Sequence, residues 1–553
     1  TGKLFCSIQD AIDDPTTVNG NTIVVSAGTY NENIVINKAL NLVCANTDVP
    51  CTGVRAPESV ITGTLASGTA TVTIAADNVN INGFTITNPL GSYGIWTQGR
   101  NNLDIKNNII TDIGNSSSGS GASYGVAIKM GSAANMDDII VLGNCVSDIR
   151  GGENTSLSGA AAKSNNGSGV GIGAGFSDAA FDITNLTITG NTINNISACD
   201  NDFSDGGKGA YGVLINVGAS ATVGKAVSPL VQNNDITNLA GHWSHGVGLE
   251  GETPGAMILN NYVNNLTDTK GNTDAIGVLL EDNDGAATVE IHNNSFTNMA
   301  LAIKNLMAPT VDAMCNWYGT ANAVTIAGLI SGNVTYSSYL TSGTDGSAAT
   351  GFQPSGACDG TPVMITSAVQ SPQLCASLGS IEVSYTGGTG PYDIAWSGAG
   401  SGSAIGVSNP YTITGLAAGM YDITVTDTYG STGTGSATVL YHPVTNVTLA
   451  TTYATIQEAI NAASAGNVIA VCAGTYTENL TVNKALTING PNVGIPGTGV
   501  RVPEAILSNC NIDITAAGLV ILDGFHVYQT DNNTDVILIS GGTAATIQNN
   551  ILE

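Results

Sequence analysis

Two glutamates carry the most specific chemical pattern in the chain. Glu250 and Glu281 each end a segment that begins with glycine and alternates apolar residues with others. If the apolar residues point inward, both carboxylates point outward, and strands in register lie about 4.8 Å apart. Stacked carboxylates need a shared proton or a cation. The pattern predicts a surface calcium site, with Asp282 and Asp284 nearby. A glycosidase-like acid and base pair or a solvated acidic patch are the alternatives.

A second acidic segment places oxygen ligands at alternating positions before a glycine. Asp200, Asp202 and Asp205 precede Gly206, which is the arrangement of calcium loops, although the spacing fits no standard loop. These carboxylates are a further candidate site for calcium. No other cofactor is suggested by the sequence.

Aromatic residues offer candidate contacts to a ligand. Trp96 falls at a strand position whose side chain should face outward, and Trp243 falls in a predicted corner loop. Either indole could therefore stack on a sugar ring. Other rings stand directly before the glycine of the repeated segments and share parity with core residues. We therefore expect an internal aromatic stack made of Tyr93, Tyr124, Tyr211 and His245.

The elements that would position these side chains repeat along residues 70–320. One signature is an apolar residue followed three positions later by Asn, at Asn108, Asn144, Asn191, Asn234, Asn261 and Asn294. The other is Gly followed by alternating apolar residues, at Gly94, Gly125, Gly169, Gly212, Gly246 and Gly277. One signature of each kind per turn predicts an all-β fold, the right-handed parallel β-helix. Asn tolerates left-handed corners and can pair with the Asn one coil above, so we expect Asn ladders.

The head of the predicted module occurs twice. Ser7-Ile-Gln-Asp-Ala-Ile returns as Thr455-Ile-Gln-Glu-Ala-Ile, and the strings Ala-Gly-Thr-Tyr-x-Glu-Asn, Asn-Lys-Ala-Leu and Val-Arg-x-Pro-Glu follow in the same order in both copies. Each opening predicts a capping box and an amphipathic helix. Because the end of a solenoid exposes unpaired strands, we expect this helix to cap the β-helix. Arg55 and Arg501, in the last string, are expected to pair with the neighbouring carboxylate.

Ten cysteines are too few for a disulfide scaffold, but two pairs are close in sequence. Cys44 and Cys51 form one candidate disulfide, and Cys358 and Cys375 form the other. The second module has glycine at both positions of the first pair. The absence of both cysteines together favours a disulfide between them in the first module. Such bridges suit an extracytoplasmic setting, whereas buried free thiols are the alternative.

Composition changes mark the predicted domains. Residues 363–442 contain short alternating strands joined by Gly-rich turns, which predict a small immunoglobulin-like β-sandwich. The predicted organisation is a β-helix module with an N-terminal cap helix at 1–350, a linker at 351–362, the sandwich at 363–442 and a second, truncated β-helix module at 443–553.

The net charge of −28, with only 14 Lys plus Arg, disfavours nucleic acid and anionic lipid as partners. No apolar run reaches the roughly 18 residues of a membrane span, so we expect no membrane insertion.

Two resemblances follow from these strings. Gly387-Gly-Thr-Gly-Pro-Tyr392, Trp396-Ser-Gly398 and Thr424-Val-Thr-Asp427 resemble the SprB-type repeat of large adhesins in gliding bacteria. The duplicated head and Cys315-Asn-Trp-Tyr-Gly319 resemble right-handed β-helix modules of bacterial surface proteins in the pectate-lyase-like superfamily. The second resemblance implies a fold more than an activity, because many members of that superfamily are polysaccharide lyases or hydrolases.

Together these features favour a non-enzymatic, extracellular protein of the bacterial cell surface. We expect a stalk or fibre segment of a larger repetitive adhesin used in attachment or gliding, with a polysaccharide or surface ligand as partner. Its modules could also self-associate into fibres. The alternative is a secreted lyase or glycoside hydrolase that acts on acidic polysaccharide.

Overall fold

The computed structural model describes residues 2–65, 68–114, 121–131, 133–151, 167–176, 181–198, 208–217, 224–269, 271, 273–281, 288–356, 358, 360–428, 430–530, 536–540 and 544–553. The chain divides into two compact units, Thr1–Thr361 and Pro362–Glu553. Each unit is described by itself below.

The first unit is a parallel β-helix of three sheets. The first sheet contains, in spatial order, β1 (Thr22–Val25), β4 (Asn41–Cys44), β7 (Val79–Asn82), β10 (Leu103–Lys106), β13 (Ile139–Leu142), β17 (Leu186–Thr189), β21 (Leu230–Gln232), β24 (Met257–Leu259), β27 (Glu290–His292), β30 (Val311–Asp312) and β32 (Val334–Thr335). The second contains β2 (Gly28–Tyr30), β5 (Ser59–Thr62), β8 (Thr85–Asn88), β11 (Ile109–Ile113), β14 (Cys145–Arg150), β18 (Thr192–Ser197), β22 (Asp235–Gly241), β25 (Tyr262–Asp268) and β28 (Ser295–Thr297). The third contains β3 (Ile34–Ile36), β6 (Ala70–Ile74), β9 (Tyr93–Gln98), β12 (Ser123–Lys129), β15 (Gly169–Gly175), β19 (Gly209–Asn216), β23 (Trp243–Glu250), β26 (Ala275–Glu281), β29 (Leu301–Asn305) and β31 (Ile330–Ser331). A short pair, β16 (Ile183–Thr184) and β20 (Ala226–Val227), and helices α1 (Ile8–Asp13) and α2 (Ala323–Gly328) complete the described elements of this unit.

Equivalent strands of successive coils pair in register, so each coil repeats the one before it. Ile105 pairs with Val141, which pairs with Ile188, and all three side chains are buried in one continuous core. Strands with one buried face alternate apolar and polar residues, which fixes the register because a one-residue slip would expose the apolar set. The predicted parallel β-helix is confirmed by this pairing.

A ladder of buried asparagines runs along the corner between the first and second sheets. Each side-chain Nδ2 donates to the Oδ1 of the next ladder residue at 2.9–3.1 Å. Each of those Oδ1 atoms also accepts the backbone N–H of the preceding ladder residue. The ladder consists of Asn108, Asn144, Asn191, Asn234, Asn261, Asn294 and Asn316, all fully buried.

The residue before each ladder asparagine turns the chain. It has a positive φ in every coil of the ladder, at Asn107, Gly143, Gly190, Asn233, Asn260, Asn293 and Cys315. Asparagine and glycine adopt this left-handed conformation at the lowest cost. The expected Asn ladder is confirmed. In each coil one residue turns the chain, and the asparagine after it forms the hydrogen bonds of the ladder.

The strings shared by the two module heads hold the ends of a helix. In the first module Glu32 accepts the backbone N–H groups of Ile8 and Gln9, both at 2.9 Å. Lys38 donates through Nζ to the carbonyl oxygens of Ile12 and Asp14. A carboxylate at the start of a helix and an ammonium at its end both complement the helix dipole.

The second module repeats these contacts on helix α3 (Ile456–Ala462), through Glu478 and Lys484. In this head the capping box is complete, between Thr455 and Glu458. In the first module Ser7 Oγ accepts the Asp10 N–H, but within the described residues the shorter Asp10 side chain makes no return bond to Ser7.

The predicted arginine contacts are present in both heads. Arg501 binds Glu504 through Nε and Nη2, at 2.6 and 3.0 Å, and lowers the pKa of that carboxyl. Arg55 binds Glu58 in the same way and also donates to the carbonyl oxygens of Val49 and Asn107. Each guanidinium therefore joins a turn to neighbouring coils.

The second unit combines two antiparallel sheets with a further parallel β-helix. One sheet contains β33 (Met364–Ser371), β34 (Gly379–Thr386) and β37 (Tyr411–Leu416), and the other contains β36 (Gly402–Val407), β35 (Tyr392–Gly398), β38 (Gly419–Thr426) and β39 (Thr432–Val439). Their buried residues form one core.

The β-helix of the second unit again has three sheets. They contain β41 (Thr451–Tyr453), β40 (Val444–Asn446), β42 (Val468–Val471), β45 (Thr487–Asn489), β48 (Val520–Asp523) and β51 (Ala545–Gln548); β43 (Gly474–Tyr476), β46 (Ala505–Ser508), β49 (His526–Tyr528) and β52 (Ile551–Leu552); and β44 (Leu480–Val482), β47 (Ile512–Ile514) and β50 (Ile537–Ile539).

Both predicted disulfide pairings are wrong. Cys51 is bonded to Cys145 and Cys358 to Cys315. Cys44, the last residue of β4, is a free thiol that is buried against the carbonyl oxygen of Gly83. Cys51 lies in a turn between β4 and β5 that reaches three coils along the solenoid to β14, so its partner is distant in sequence and adjacent in space.

The second predicted pair also included Cys375. Cys375 is bonded to Cys472, which directly follows β42 in the second β-helix. Sequence proximity failed because this bond joins the segment between β33 and β34 to the second β-helix, 97 residues along the chain. Cys6 is exposed and Cys510 is buried, and both are free.

The start of the predicted linker at 351–362 is docked on the first β-helix. Phe352 is buried, and its backbone N–H donates to Asn260 O at 2.7 Å. Gly351 N–H donates to the Asp235 carboxylate at 3.0 Å. The boundary between the two compact units follows Thr361.

A candidate binding cleft on the third sheet

The outer face of the third sheet is defined by a break in alternation at one glycine per strand, at Gly94, Gly125, Gly171, Gly212, Gly246 and Gly277. In β15 this position is held by Gly171 and not by the predicted Gly169, which pairs with Ser123. In β19 the next residue, Val213, is buried in the core, yet a Cβ on Gly212 would also lie inside, 2.4 Å from Ile236 Cγ2. Two consecutive residues therefore face the interior. The glycine is required because the apolar side chain of the second sheet already fills its place.

This break corrects the expected internal aromatic stack. The residue before each glycine lies on the outer face, and the buried members there form a cluster separate from the β-helix core. The cluster contains Val170, Tyr211 and Leu214, with Tyr124, Phe176 and Trp243 packed against it. Tyr93 stacks on Tyr124 with ring centroids 5.5 Å apart, and Tyr211 meets His245 edge to face at 5.2 Å.

A cleft of about 390 Å³ opens at the end of this cluster. It lies across strands β19, β23, β26 and β29. Its lining combines aromatic, acidic and apolar side chains with one lysine: Tyr211, Trp243, His245, Glu250, Asp274, Ile276, Leu279, Glu281, Lys304 and Leu306.

Hydrogen bonds fix one wall of the cleft. Trp243 Nε1 donates to Tyr211 Oη at 2.8 Å, and Asn216 Nδ2 donates to Glu250 Oε2. Burial, followed by the charge of Glu250, raises the pKa of Tyr211, so the phenol stays protonated. The indole fits because Gly209 has no side chain. A Cβ at this position would lie 2.0 Å from Trp243 Nε1.

The floor of the cleft carries an excess of negative charge. Glu250 and Glu281 are register partners on adjacent strands. Asp274 Oδ1 is paired with Lys304 Nζ at 3.2 Å, so this third carboxylate is compensated. Three carboxylates and one lysine line the cleft, which suits a ligand with hydroxyl groups or a positive charge better than an anionic one.

His245 supplies a neutral polar group to the cleft. The side chain is 5% exposed, and its Nδ1 is buried without a hydrogen-bond partner among the described residues. Burial, with a smaller contribution from the Lys304 charge, lowers the pKa of His245 to about 3. The imidazole is therefore uncharged at neutral pH.

The predicted ligand residues are brought together only in part. Trp243 belongs to strand β23 and not to a corner loop, so that prediction is wrong, but the indole does line the cleft. Trp96 lies on the same outer face, four coils from Trp243, in the register column that ends at Leu279 and Lys304. It is half-buried and takes no part in the cleft.

The predicted calcium ligands are mostly beyond the structure. Asp200, Asp202, Asp205, Asp282 and Asp284 lie outside the described residues. Within the described ranges no group of three or more His, Cys, Asp or Glu side chains is arranged to hold a metal ion. Calcium at Glu250 and Glu281 stays a prediction.

Sequence reasoning missed Asp274, Lys304 and Tyr211 as cleft residues. Tyr211 was excluded by strict alternation. A signal was available in the glycine that follows it in every coil, since a conformational break there reverses the face of the preceding residue. Coils of unequal length concealed the contact between Asp274 and Lys304, which are 30 residues apart.

Comparison with known proteins adds one sequence relative. No protein-family model matches the chain. A 110-residue stretch is 40% identical to a cell surface glycoprotein of Methanothermus fervidus, covering 20% of this chain and 16% of that protein. The chain therefore matches less than a fifth of the length of this curated relative.

Among solved structures, the Dettilon tailspike protein gp208 is similar over 72% of this chain and 74% of its own, at 13% identity and a TM-score of 0.26. The fold assignment rests on the strand pairing of the present structure. No helix in the described ranges is long and apolar enough to cross a membrane.

Proposed function

We propose that this chain is part of an extracellular cell-surface protein, in which stacked β-helix coils form a rigid stalk that displays a carbohydrate-binding cleft. The observation that carries the proposal is the cleft, built on a rigid sheet with an aromatic wall and polar groups that converge on one space. Ten strands of the third sheet at about 4.8 Å spacing give a rod of about 43 Å.

Three kinds of observation support the extracellular setting. Disulfides at three positions of the described chain are typical of oxidising compartments. The relative with 40% identity over 110 residues is a cell surface glycoprotein. The duplicated module lengthens a stalk directly, whereas a catalytic domain gains less from repetition.

The finer assignments belong to the same proposal. The two antiparallel sheets at 363–442 act as an immunoglobulin-like, SprB-type spacer, and the β-helices are pectate-lyase-like in fold without the activity. The N-terminal helices cover the first coils, because Ile8, Ala11 and Ile12 are buried against them. Attachment is the role we assign to the whole, with side-by-side or end-to-end association into fibres as a further property.

The ligand of the cleft is a neutral or amino sugar. Trp243 offers a ring for stacking, Glu250 and Glu281 accept hydroxyl or ammonium hydrogens, and Lys304 donates. A uronate would meet the two negative charges of the glutamates, unless calcium neutralised them. This charge argument favours binding of neutral or basic glycans over the acidic polysaccharides that the enzyme hypothesis requires.

The paired glutamates also support a second candidate function, that of a glycoside hydrolase. Two carboxylates on one cleft are the chemical minimum for such an enzyme. Incubation with neutral, amino and acidic polysaccharides, with and without calcium, separates the two functions. Retention of glycan without new reducing or unsaturated chain ends supports the binding function. Formation of more new chain ends than there are protein molecules would overturn the binding function.

A variant pair locates the binding. Trp243→Ala is expected to reduce glycan retention about two- to tenfold, since one stacked ring contributes about 0.5–1.5 kcal/mol. Trp96→Ala is the matched control on the same face, outside the cleft, and should bind as the parent does. Equal retention by both variants would move the site away from this cleft.

A further inference from the structure

The cleft on the third sheet contains a carboxylate that is not paired within the described part of the chain. The Glu281 side chain forms no hydrogen bond or ion pair with any residue that the structure describes. The lysine of the cleft is already engaged, because Lys304 Nζ lies 3.2 Å from Asp274 Oδ1. Glu281 is the register partner of Glu250, so the two carboxylates extend from strands about 4.8 Å apart. Like charges at this spacing favour a bound cation or a shared proton.

His245 gives the same cleft a buried polar atom without a partner. The side chain is 5% exposed, and its Nδ1 has no hydrogen-bond partner among the described residues. Its register neighbours do not supply one, because Ile276 on β26 is apolar and Tyr211 on β19 meets the imidazole edge to face, with ring centroids 5.2 Å apart. Buried polar atoms are nearly always hydrogen-bonded in native proteins, so this nitrogen marks a position for a polar group of a ligand.

The aromatic wall of the cleft stands beside the carboxylates. Tyr211 Oη accepts the Trp243 Nε1–H at 2.8 Å. Burial raises the pKa of Tyr211, and the charges of Glu250 and Glu281 raise it further, as expected for carboxylates close to the phenol. A sugar ring against this wall therefore has its substituents within reach of the carboxylates.

We propose that the cleft selects a sugar with a free primary amine, whose ammonium group binds Glu281 while one of its hydroxyl groups binds His245 Nδ1. The assignment rests on the carbohydrate-binding function proposed above and narrows the class of its ligand. An ammonium group forms charge-assisted hydrogen bonds to carboxylates, which are roughly twice as strong as neutral ones. N-acetylation removes that charge, and a uronate would add a negative charge beside three carboxylates.

The number of available ligands favours an ammonium group over a metal ion. Calcium takes about six to eight oxygen ligands, and within the described ranges no group of three or more His, Cys, Asp or Glu side chains is arranged to hold a metal ion. An ammonium group has three hydrogen-bond donors. Two carboxylates and a water molecule can satisfy them at the mouth of the cleft.

Three tetrasaccharides with the same β-1,4-linked pyranose backbone test the charge directly. Those of glucosamine, N-acetylglucosamine and glucose differ only in the group at carbon 2, which is ammonium, acetamide or hydroxyl. Their affinities for the full 553-residue chain are measured by titration calorimetry, at a pH of about 5.5, where a sugar amine is protonated and a carboxylate of ordinary pKa is ionised. The glucosamine oligomer should bind at least about tenfold more tightly than the other two, a ratio that corresponds to about 1.4 kcal/mol.

A variant that removes one charge locates the preference at Glu281. Glu281→Gln keeps the shape of the side chain, so the affinity for the glucosamine oligomer should fall about tenfold, while that for the glucose oligomer should not change. Glu290→Gln is the matched control, since it removes one charge from an exposed position on the first sheet and should keep the full preference. His245→Phe should weaken all three oligomers alike, because its Nδ1 is assigned to a hydroxyl group that they share. Unchanged affinities in this variant would contradict that contact.

The outcomes separate this proposal from the function on which it rests. If none of the three oligomers binds the parent chain, the carbohydrate-binding function fails and the amine assignment fails with it. If all three bind with equal affinity, or if the preference survives Glu281→Gln, the function stands and the amine assignment is overturned. Tighter binding of a galacturonate tetramer with calcium than of the glucosamine oligomer would identify calcium as the cation and would also overturn the assignment.

Discussion

Replacement of one ladder asparagine tests how the β-helix is held together. Asn191 is fully buried, and its Nδ2 donates to Val141 O at 2.9 Å. Its Oδ1 accepts the backbone N–H of Asn144 at 2.9 Å. In Asn191→Ala both backbone groups lose these partners inside the core. Each buried unpaired group costs about 1–3 kcal/mol, so the expected loss in the free energy of unfolding is about 2–6 kcal/mol.

The assay is equilibrium urea unfolding followed by far-ultraviolet circular dichroism, with hydrogen exchange of residues 139–144 and 186–192 to assign the change to these coils. Asn194→Ala is the control, because its Oδ1 accepts hydrogen bonds from Thr237 and Asn238 on the half-exposed outer face. Water can replace it there, so we expect a loss of about 0.5 kcal/mol or less. A loss for Asn191→Ala that is no larger than the control would refute the structural role of the ladder.

Three further predictions concern other parts of the first unit. Arg55→Lys cannot keep the two-point contact to Glu58 and the bonds to three carbonyl oxygens, and should lower the urea-unfolding free energy by about 2 kcal/mol or more. Gly212→Val should fail to fold or lose several degrees in melting temperature, whereas Gly248→Ala on the outer face, with its nearest contact at 3.2 Å, should be mild. His245 has a folded pKa lowered to about 3, so stability should fall as pH drops below about 6.5, by about 1.4 kcal/mol per unit. His245→Phe should lack this slope between pH 6 and 4.5, and parallel pH profiles for parent and variant would contradict the burial of a neutral imidazole.

Parity and repetition predicted the coils and the outward pairing of Glu250 with Glu281, because strand alternation is local and coil stacking is regular. The duplicated head also indicated a helix at Ser7 and Thr455. The reason for its shared Glu and Lys was hidden, since these side chains bind the helix from loops on either side of β3, 24 and 26 residues away.

What failed were features that depend on departures from regularity. The two consecutive inward residues at Gly212 reversed the face of Tyr211, and strict alternation cannot show that. Disulfide pairing failed because the bond from Cys51 to Cys145 spans 94 residues of coils with unequal loops.

The central claim, that this protein stands on the outside of the cell, is tested most directly with an antibody raised against the purified chain. Labelling of intact source cells is compared with labelling after lysis. We predict that intact cells bind the antibody fully and lose the signal after brief treatment with an external protease. Labelling that appears only after lysis would contradict the claim.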